Sequence, residues 1–463
     1  MNSRTETLFS RRDWLRTAPA GFGYLAWAGL ASQESVRAAH DAAQSAADTP
    51  RGAHFEPKAR RVIFLCMRGG PSQMETFDPK PELLRQQGNP GKTSRSRLFG
   101  SRWAFKRAGD SGIDVVELLP EIARQADKLC VLRGMQTDNE NHAQALEQMH
   151  TGSFQFVRPS LGAWTVYGLG SENRNLPGFI SINPLTALGG ARYYASAFLP
   201  ASCSAVTLGN ANQSGAPLTV GDLENASRSR AAQRRGLDLL QDLNRGASSS
   251  LEDARVEGLI QSYELAFRMQ DQMPEVMDLS RESKATLSLY GADRAPSETF
   301  GKQCLMARRF LEAGVRFVEI THMEWDLHGA LGAGMVRNCG QIDRPIAGLL
   351  QDLDQRGLLA DTLVVWGGEF GRTPDDPTTD GRGHNNRGYS MWMAGGGVRA
   401  GHVHGRTDDL GYEAVEGIVH IHDLHATILH LLGLDHQRLT YRHGGREFRL
   451  TDVKGEVVRS ILA

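Results

Sequence analysis

Residues able to bind a metal ion or move a proton fall at a few places in the chain. From Asp361, the stretch D-T-L-V-V-W-G-G-E-F-G-R-T-P and the G-R-G-H-N-N after it bring Glu369, Arg372, His384, Asn385 and Asn386 into one span. A carboxylate, a guanidinium and an imidazole together can ligate a divalent ion and hold an oxyanion. The same residues also suit a surface loop with one buried ion pair. Upstream, H-M-E-W-D-L-H-G sets Asp326 and His328 two residues apart. In extended chain that spacing points both side chains one way, so both reach one ion. Carboxylate plus neutral imidazole is ordinary ligation for zinc, manganese or iron. His322 and Glu324 are weaker candidates.

In T-D-N-E-N-H-A-Q-A-L-E-Q-M-H-T-G, Asp138 or Asn139 is expected to cap a helix. Asn141 and His142 then sit in its first turn, where free N–H groups and the dipole favour an anion. A capping cluster with a satisfied histidine is the plainer reading, and His150 is assigned to it. Glu75 and Asp78, after the first strand, could be metal groups, or equally a helix cap and a turn. His402 and His404 alternate in a loop that looks exposed and are disfavoured as ligands. His422, His425 and His430 are expected to be caps or surface groups.

Elements must position these groups. Val62–Met67, Leu129–Leu132, Val315–Thr321, Thr362–Trp366 and Ser390–Ala394 read as strands, several of them continuous apolar runs suited to burial on both faces. The stretch 158–182 predicts a helix, a loop and a strand. Lys302–Ala313, Ile342–Arg356 and Asp423–Leu432 predict helices. Glu369 and the Asp326–His328 pair thus lie just beyond carboxyl ends of strands, where open α/β sheets place ligands. Glu224–Asn244 and Leu251–Arg281 form a charged helical hairpin suited to packing. The order is that of one large α/β domain, residues 59–463, with a helical insertion at about 224–300.

Bulk properties narrow the function. A formal net charge of −1 over 463 residues gives no reason to expect nucleic acid as a partner. Five scattered cysteines contain no C-x-x-C pair and form neither a cysteine zinc site nor a disulfide framework, although one bridge is open. Ser10-Arg11-Arg12-Asp13-Trp14-Leu15-Arg16 and the weakly apolar run after it read as a twin-arginine export signal over residues 1–39, followed by a flexible linker over 40–58. The expected partners are therefore the twin-arginine export machinery and, at the site, a small anionic molecule. The expected location is the periplasm or cell envelope.

From about Arg61 to the C-terminus the motifs resemble an exported family, the "domain of unknown function 1501" proteins of the alkaline phosphatase and sulfatase superfamily. The marks are G-G-P-S-Q-M-E-T-F-D-P-K, H-T-G, R-P-S-L-G-A-W, W-D-L-H-G, G-G-E-F-G-R-T-P and G-R-G-H-N-N. The resemblance implies a three-layer α/β sandwich with a mostly parallel central sheet. It also implies one or two divalent ions (zinc, manganese, calcium or iron) and hydrolysis of phosphate or sulfate esters, including those on carbohydrate. Asp326, His328, Glu369 and His384 fall on ligand positions, and His142 falls on the nucleophile position, as base, ligand or nucleophile. Arg372 would hold the anion, with Glu75, Asp78, Asn141 and Asn385 as additional site groups. Phe370 stands where the superfamily has a histidine ligand, and no Cys-x-Pro-x-Arg or Ser-x-Pro-x-Arg is present. Those departures keep a second reading open, a non-catalytic, metal-stabilised binding or structural protein of the envelope.

Overall fold

Strand β1 (Arg61–Met67) shows why the sheet is covered on both sides. Ile63, Leu65 and Met67 alternate into one apolar core, and Val62, Phe64 and Cys66 into another. Strand β6 (Thr362–Gly367) divides the same way, Val364 and Trp366 against Leu363 and Val365. Each such aliphatic or aromatic group contributes about 1.5–3 kcal/mol on full burial. The computed structural model describes residues 52–186, 189–211, 218–221, 223, 228–246 and 251–463. The expected signal segment lies outside them.

The other sheet strands are β2 (Leu129–Gln136), β3 (Phe179–Ile182), β4 (Val206–Leu208), β5 (Phe317–His322), β7 (Tyr389–Ala394), β8 (His402–His404) and β9 (Val419–His420). Among the described residues they form a nine-stranded sheet in the order β8-β2-β7-β6-β1-β5-β3-β4, with β9 also pairing β2. Every pairing is parallel except the two made by β7. On one face lie α1 (His142–Thr151), α2 (Leu161–Leu169) and α7 (Ile421–Leu431). On the other lie α5 (Glu298–Glu312) and α6 (Leu331–Gln355), joined by the hairpin of α3 (Arg230–Gly246) and α4 (Leu251–Met277). This is the expected three-layer α/β architecture with a mostly parallel sheet.

Several local expectations change. Strand β2 runs four residues past Leu132, because Met135 and Gln136 find a partner in β9. Helix α6 begins at Leu331, well before Ile342. Gly332, Gly334 and Gly340 depress helix propensity there, yet a Cβ on Gly334 would meet Leu327 Cδ2 at 2.3 Å. That glycine lets α6 approach the loop carrying Asp326 and His328. Helix α1 is capped by Asn141, whose side chain accepts from the Ala143 N–H, and not by Asp138 or Asn139. His422 and His425 are buried within the α7 core and are not surface groups. His402–His404 is an edge strand, and Tyr441–Phe448 forms a small hairpin near the C-terminus. The end of the expected linker packs down, since the N–H groups of His54 and Lys58 donate to Gly433 O and Leu431 O. All five cysteines are buried and free.

Candidate metal centre

Three strand ends meet at the site. At the carboxyl end of β1 the chain turns through Gly69, whose φ of +115° belongs to glycine. A Cβ on Gly69 would lie 2.4 Å from Asp326 N, so the turn runs directly beneath the loop that follows β5. Beyond β6, Glu369 points back, and both its oxygens accept the Gly69 N–H at 3.0 and 3.1 Å. Asp326 and His328 lie four and six residues past the end of β5, and consecutive tight turns, not strand alternation, bring them together. Asn338 of α6 donates to Glu324 O at 2.7 Å and ties down this loop, in which Glu324 adopts φ +77°.

His142, Asp326, His328 and His384 each offer a ligand atom, and these atoms lie within 4.8 Å of one another. The Asp326 Oδ1 atom stands 3.1 Å from His328 Nε2 and 3.3 Å from His384 Nε2, while Oδ2 stands 3.1 Å from His142 Nε2. The two imidazole Nε2 atoms of His328 and His384 are 2.9 Å apart.

Hydrogen positions follow from the outer partners. His142 Nδ1 faces Glu369 Oε1 at 2.7 Å. A carboxylate oxygen only accepts, so Nδ1 carries the hydrogen and the Nε2 lone pair is free to point inward. That Nε2 is buried and makes no hydrogen bond of sound geometry; its Asp326 contact has ion-pair distance without hydrogen-bond alignment. His384 Nδ1 faces the carbonyl of Glu140 at 2.7 Å, so its Nε2 likewise presents a lone pair. Neutral histidines whose outer nitrogen donates to a carboxylate or carbonyl are how proteins prepare imidazoles for a metal. Two such lone pairs, a third imidazole and a carboxylate fit a zinc-class divalent ion.

The electrostatics favour positive charge inside this group. Burial opposes charge on His142, but Asp326 and Glu369 outweigh it and raise its pKa. Burial also opposes ionisation of Asp326, yet contacts from His142, His384 and Arg372 hold its carboxyl far below the usual carboxylate range. His328 is lowered chiefly by burial. Phe370 packs on both imidazoles, with ring centroids 4.9 Å from His142 and 4.5 Å from His384. It forms an apolar wall and offers no ligand.

The remaining candidates stand in other places. Glu369 is behind His142 and orients it, outside the inward-facing group of four. Arg372 is 1 % exposed, and all three of its nitrogens donate within the protein: to Gly70 O, Arg382 O, Gly69 O, Trp325 O and, at 2.7 Å, Asp326 Oδ1. With its donors committed, it positions Asp326 and does not present itself to a substrate anion. Glu75 is fully buried in an ion pair with Arg382 at 2.6 Å and also accepts from Ser72. Asp78 is buried against Lys80 at 2.9 Å and Thr407. Both are held by cations away from the imidazoles. Asn141 caps α1, and Asn385 donates to Gly388 O and Gly411 O. His150 pairs with Leu146 O and Glu319, and His322 with Gln341 and Trp325. Sequence reasoning passed over Glu140, whose contribution is a backbone carbonyl and leaves no mark in residue type. It also passed over Arg68, at the carboxyl end of β1, whose Nε is buried without a partner.

Among curated proteins none matches the chain. Solved structures resembling it include a sulfatase of Pseudoalteromonas sp., PsFucS1, at 12% identity and TM-score 0.40, covering 93% of this chain and 76% of that one. The alkaline phosphatase of the Antarctic bacterium TAB5 matches at 10% identity and TM-score 0.32, covering 81% and 98%. The C-terminal periplasmic domain of EcEptC from Escherichia coli, solved in complex with zinc, matches at 11% and 0.34, covering 83% and 86%. Residues 59–462 match the model of the family described as "Protein of unknown function (DUF1501)", and the chain belongs to that family.

Proposed function

We propose that the protein is a metal-dependent hydrolase of phosphate or sulfate esters, acting on a small anionic ester or a phosphorylated or sulfated carbohydrate. The observation that carries this reading is the pair of imidazoles, His142 and His384, turned inward on Asp326 by Glu369 and by the Glu140 carbonyl. Such a constellation suits a divalent ion, and the ester class follows from the motif resemblance of the sequence. His142, Asp326, His328 and His384 would hold one ion, which when bound supplies Lewis acidity toward an ester oxygen. Glu369 keeps the His142 hydrogen on Nδ1, Arg372 keeps Asp326 ionised and aimed, and Phe370 keeps water from one side of both rings. With Arg372 committed, Arg68 is the cation to which we assign the substrate anion; its charge acts on Arg372 and on Tyr193. Export by the twin-arginine route belongs to the same proposal.

The test is metal analysis of purified protein, followed by a panel of aryl phosphates, phosphodiesters and aryl sulfates. Asp326→Asn and His384→Ala are expected to lose both the ion and turnover, and Arg68→Ala to raise KM more than it lowers kcat. Turnover that survives both ligand substitutions sinks the proposal. The second reading, a metal-stabilised envelope protein without catalysis, is favoured by one observation. Among the described residues, no hydroxyl is hydrogen-bonded to any of the four ligand candidates. A full complement of metal with no hydrolysis across the panel would select it.

A further inference from the structure

A second group of side chains repeats the logic of the first at a different place. His420 ends β9 and caps α7, His422 lies in the first turn of α7, and Asp138 follows β2. Ligand atoms from the three lie within 4.8 Å of one another. His422 Nε2 faces the carbonyl of Gly152 at 2.8 Å, so that nitrogen carries the hydrogen and Nδ1 bears a lone pair. His420 Nε2 faces Asp138 Oδ1 at 3.2 Å, which puts its hydrogen there and leaves a lone pair on its own Nδ1. The two Nδ1 atoms stand 2.9 Å apart, with the rings stacked at 12°. His420 Nδ1 also accepts the His422 N–H at 3.3 Å, the bond by which it caps α7, while the His422 Nδ1 lone pair faces it directly. His422 is 4 % exposed, so water cannot screen it from the buried side. Two lone pairs at that distance repel, and a shared proton or a metal ion relieves the repulsion.

We propose that His420 and His422, through their Nδ1 atoms, form a second binding site for a divalent transition-metal ion of the zinc and cobalt class, with Asp138 as the outer carboxylate that holds the His420 hydrogen on Nε2. Two imidazole nitrogens suit such an ion and leave positions for water. Opposing it are the α7 N-terminus, whose dipole disfavours a cation, and Lys454, 3.3 Å from Asp138 Oδ2. Asp423, in the first turn of α7, adds a compensating negative charge beside the site. The site is separate from the first. His422 reaches Gly152, which caps the end of α1 opposite His142, ten residues and about 15 Å along the helix. The connecting segment gives this ion a structural consequence. Asp138 and Glu140 share the loop that orients His384 and opens α1, and Gln148 of α1 already holds Asp138 at 2.5 Å. An ion there staples that loop to α7.

The test is titration of the metal-stripped full chain with cobalt(II) chloride, followed by calorimetry and visible absorption. The wild-type chain is expected to take up about two equivalents, Asp326→Asn about one, and His420→Asn about one. Asparagine retains a helix N-cap while removing the imidazole. Asp138→Asn supplies a second variant that leaves α7 untouched and is expected to weaken the second equivalent about ten-fold or more. Thermal melts without metal identify any variant that loses its fold. Equal uptake by the wild type, His420→Asn and Asp138→Asn overturns the proposal, as does wild-type uptake of one equivalent that Asp326→Asn abolishes. Failure of the first site alone reads differently: Asp326→Asn then changes nothing while His420→Asn still loses an equivalent.

Discussion

At the scale of single residues, function turns on which nitrogen of each histidine carries its hydrogen. Glu369 makes no inward contact of its own, yet it decides that His142 Nε2 is a ligand atom. Glu369→Gln is therefore expected to weaken metal affinity by about 10- to 100-fold without unfolding the protein, as read by titration against a chelator of known strength. Unchanged affinity would mean that the hydrogen on Nδ1 is set by something else. Glu75 is the contrasting case. Its carboxylate faces Arg382, and neither side chain is exposed; Phe99 covers the guanidinium at 4.0 Å. Glu75→Gln strands a buried cation and should cost about 3–5 kcal/mol in urea unfolding. Metal stoichiometry should be unaffected, and a lost equivalent would return Glu75 to the metal centre.

At the scale of elements, the site depends on two short devices at strand ends. The Gly69 turn brings the end of β1 close under Asp326 and supplies the N–H that holds Glu369. Gly69→Ala meets both a left-handed backbone and a 2.4 Å clash with Asp326 N. It should abolish metal uptake even where soluble protein is recovered, and normal uptake would show that the loop can move aside. Asn141 is the second device, fixing where α1 begins and hence where His142 points. Asn141→Ala should cost about 1 kcal/mol, while Asn141→Asp, which keeps the cap, should be close to neutral. Equal melting temperatures for the two variants would argue that the cap has no role.

At the scale of the whole molecule, two histidines buried on opposite faces of the sheet tie stability to pH. Burial lowers His322 to about 4 and His425 to about 3, against 6.5 when exposed. The geometry gives the same answer. His322 Nδ1 accepts from the indole of Trp325 at 3.0 Å and cannot do so once protonated, and His425 Nδ1 is buried without a partner. Both pKa values fall on folding, so the unfolded chain binds more protons between the two limits. Stability should be full above pH 6.5 and decline as pH drops toward 4, by about 1.4 kcal/mol per pH unit for each histidine. His322→Gln should flatten part of that slope in urea titrations from pH 7 to 4.5. An unchanged slope would assign acid sensitivity to other groups.

The sequence by itself determined the six inner strands of the sheet, most of the helices packed against them, and the residue types that could do chemistry. Those signals are local: apolar runs such as Thr362–Trp366, and candidate residues just past them. It also sufficed to nominate Asp326, His328, His142 and His384, which the fold gathers into one cluster. The tertiary structure alone decided the roles. Glu369 lies 227 residues from His142 in the chain and 2.7 Å away in space. Arg372, which the motif offers to an anion, is consumed by carbonyls from three separate segments. Glu75 meets Arg382 across 307 residues. His422 reads as a cap or surface group, and His420 draws no notice in the sequence, until Gly152 and Asp138 dictate where their hydrogens lie. Residue type and spacing report what a side chain can do. Which lone pair is free depends on partners from distant segments, and those are chosen only when the chain has packed.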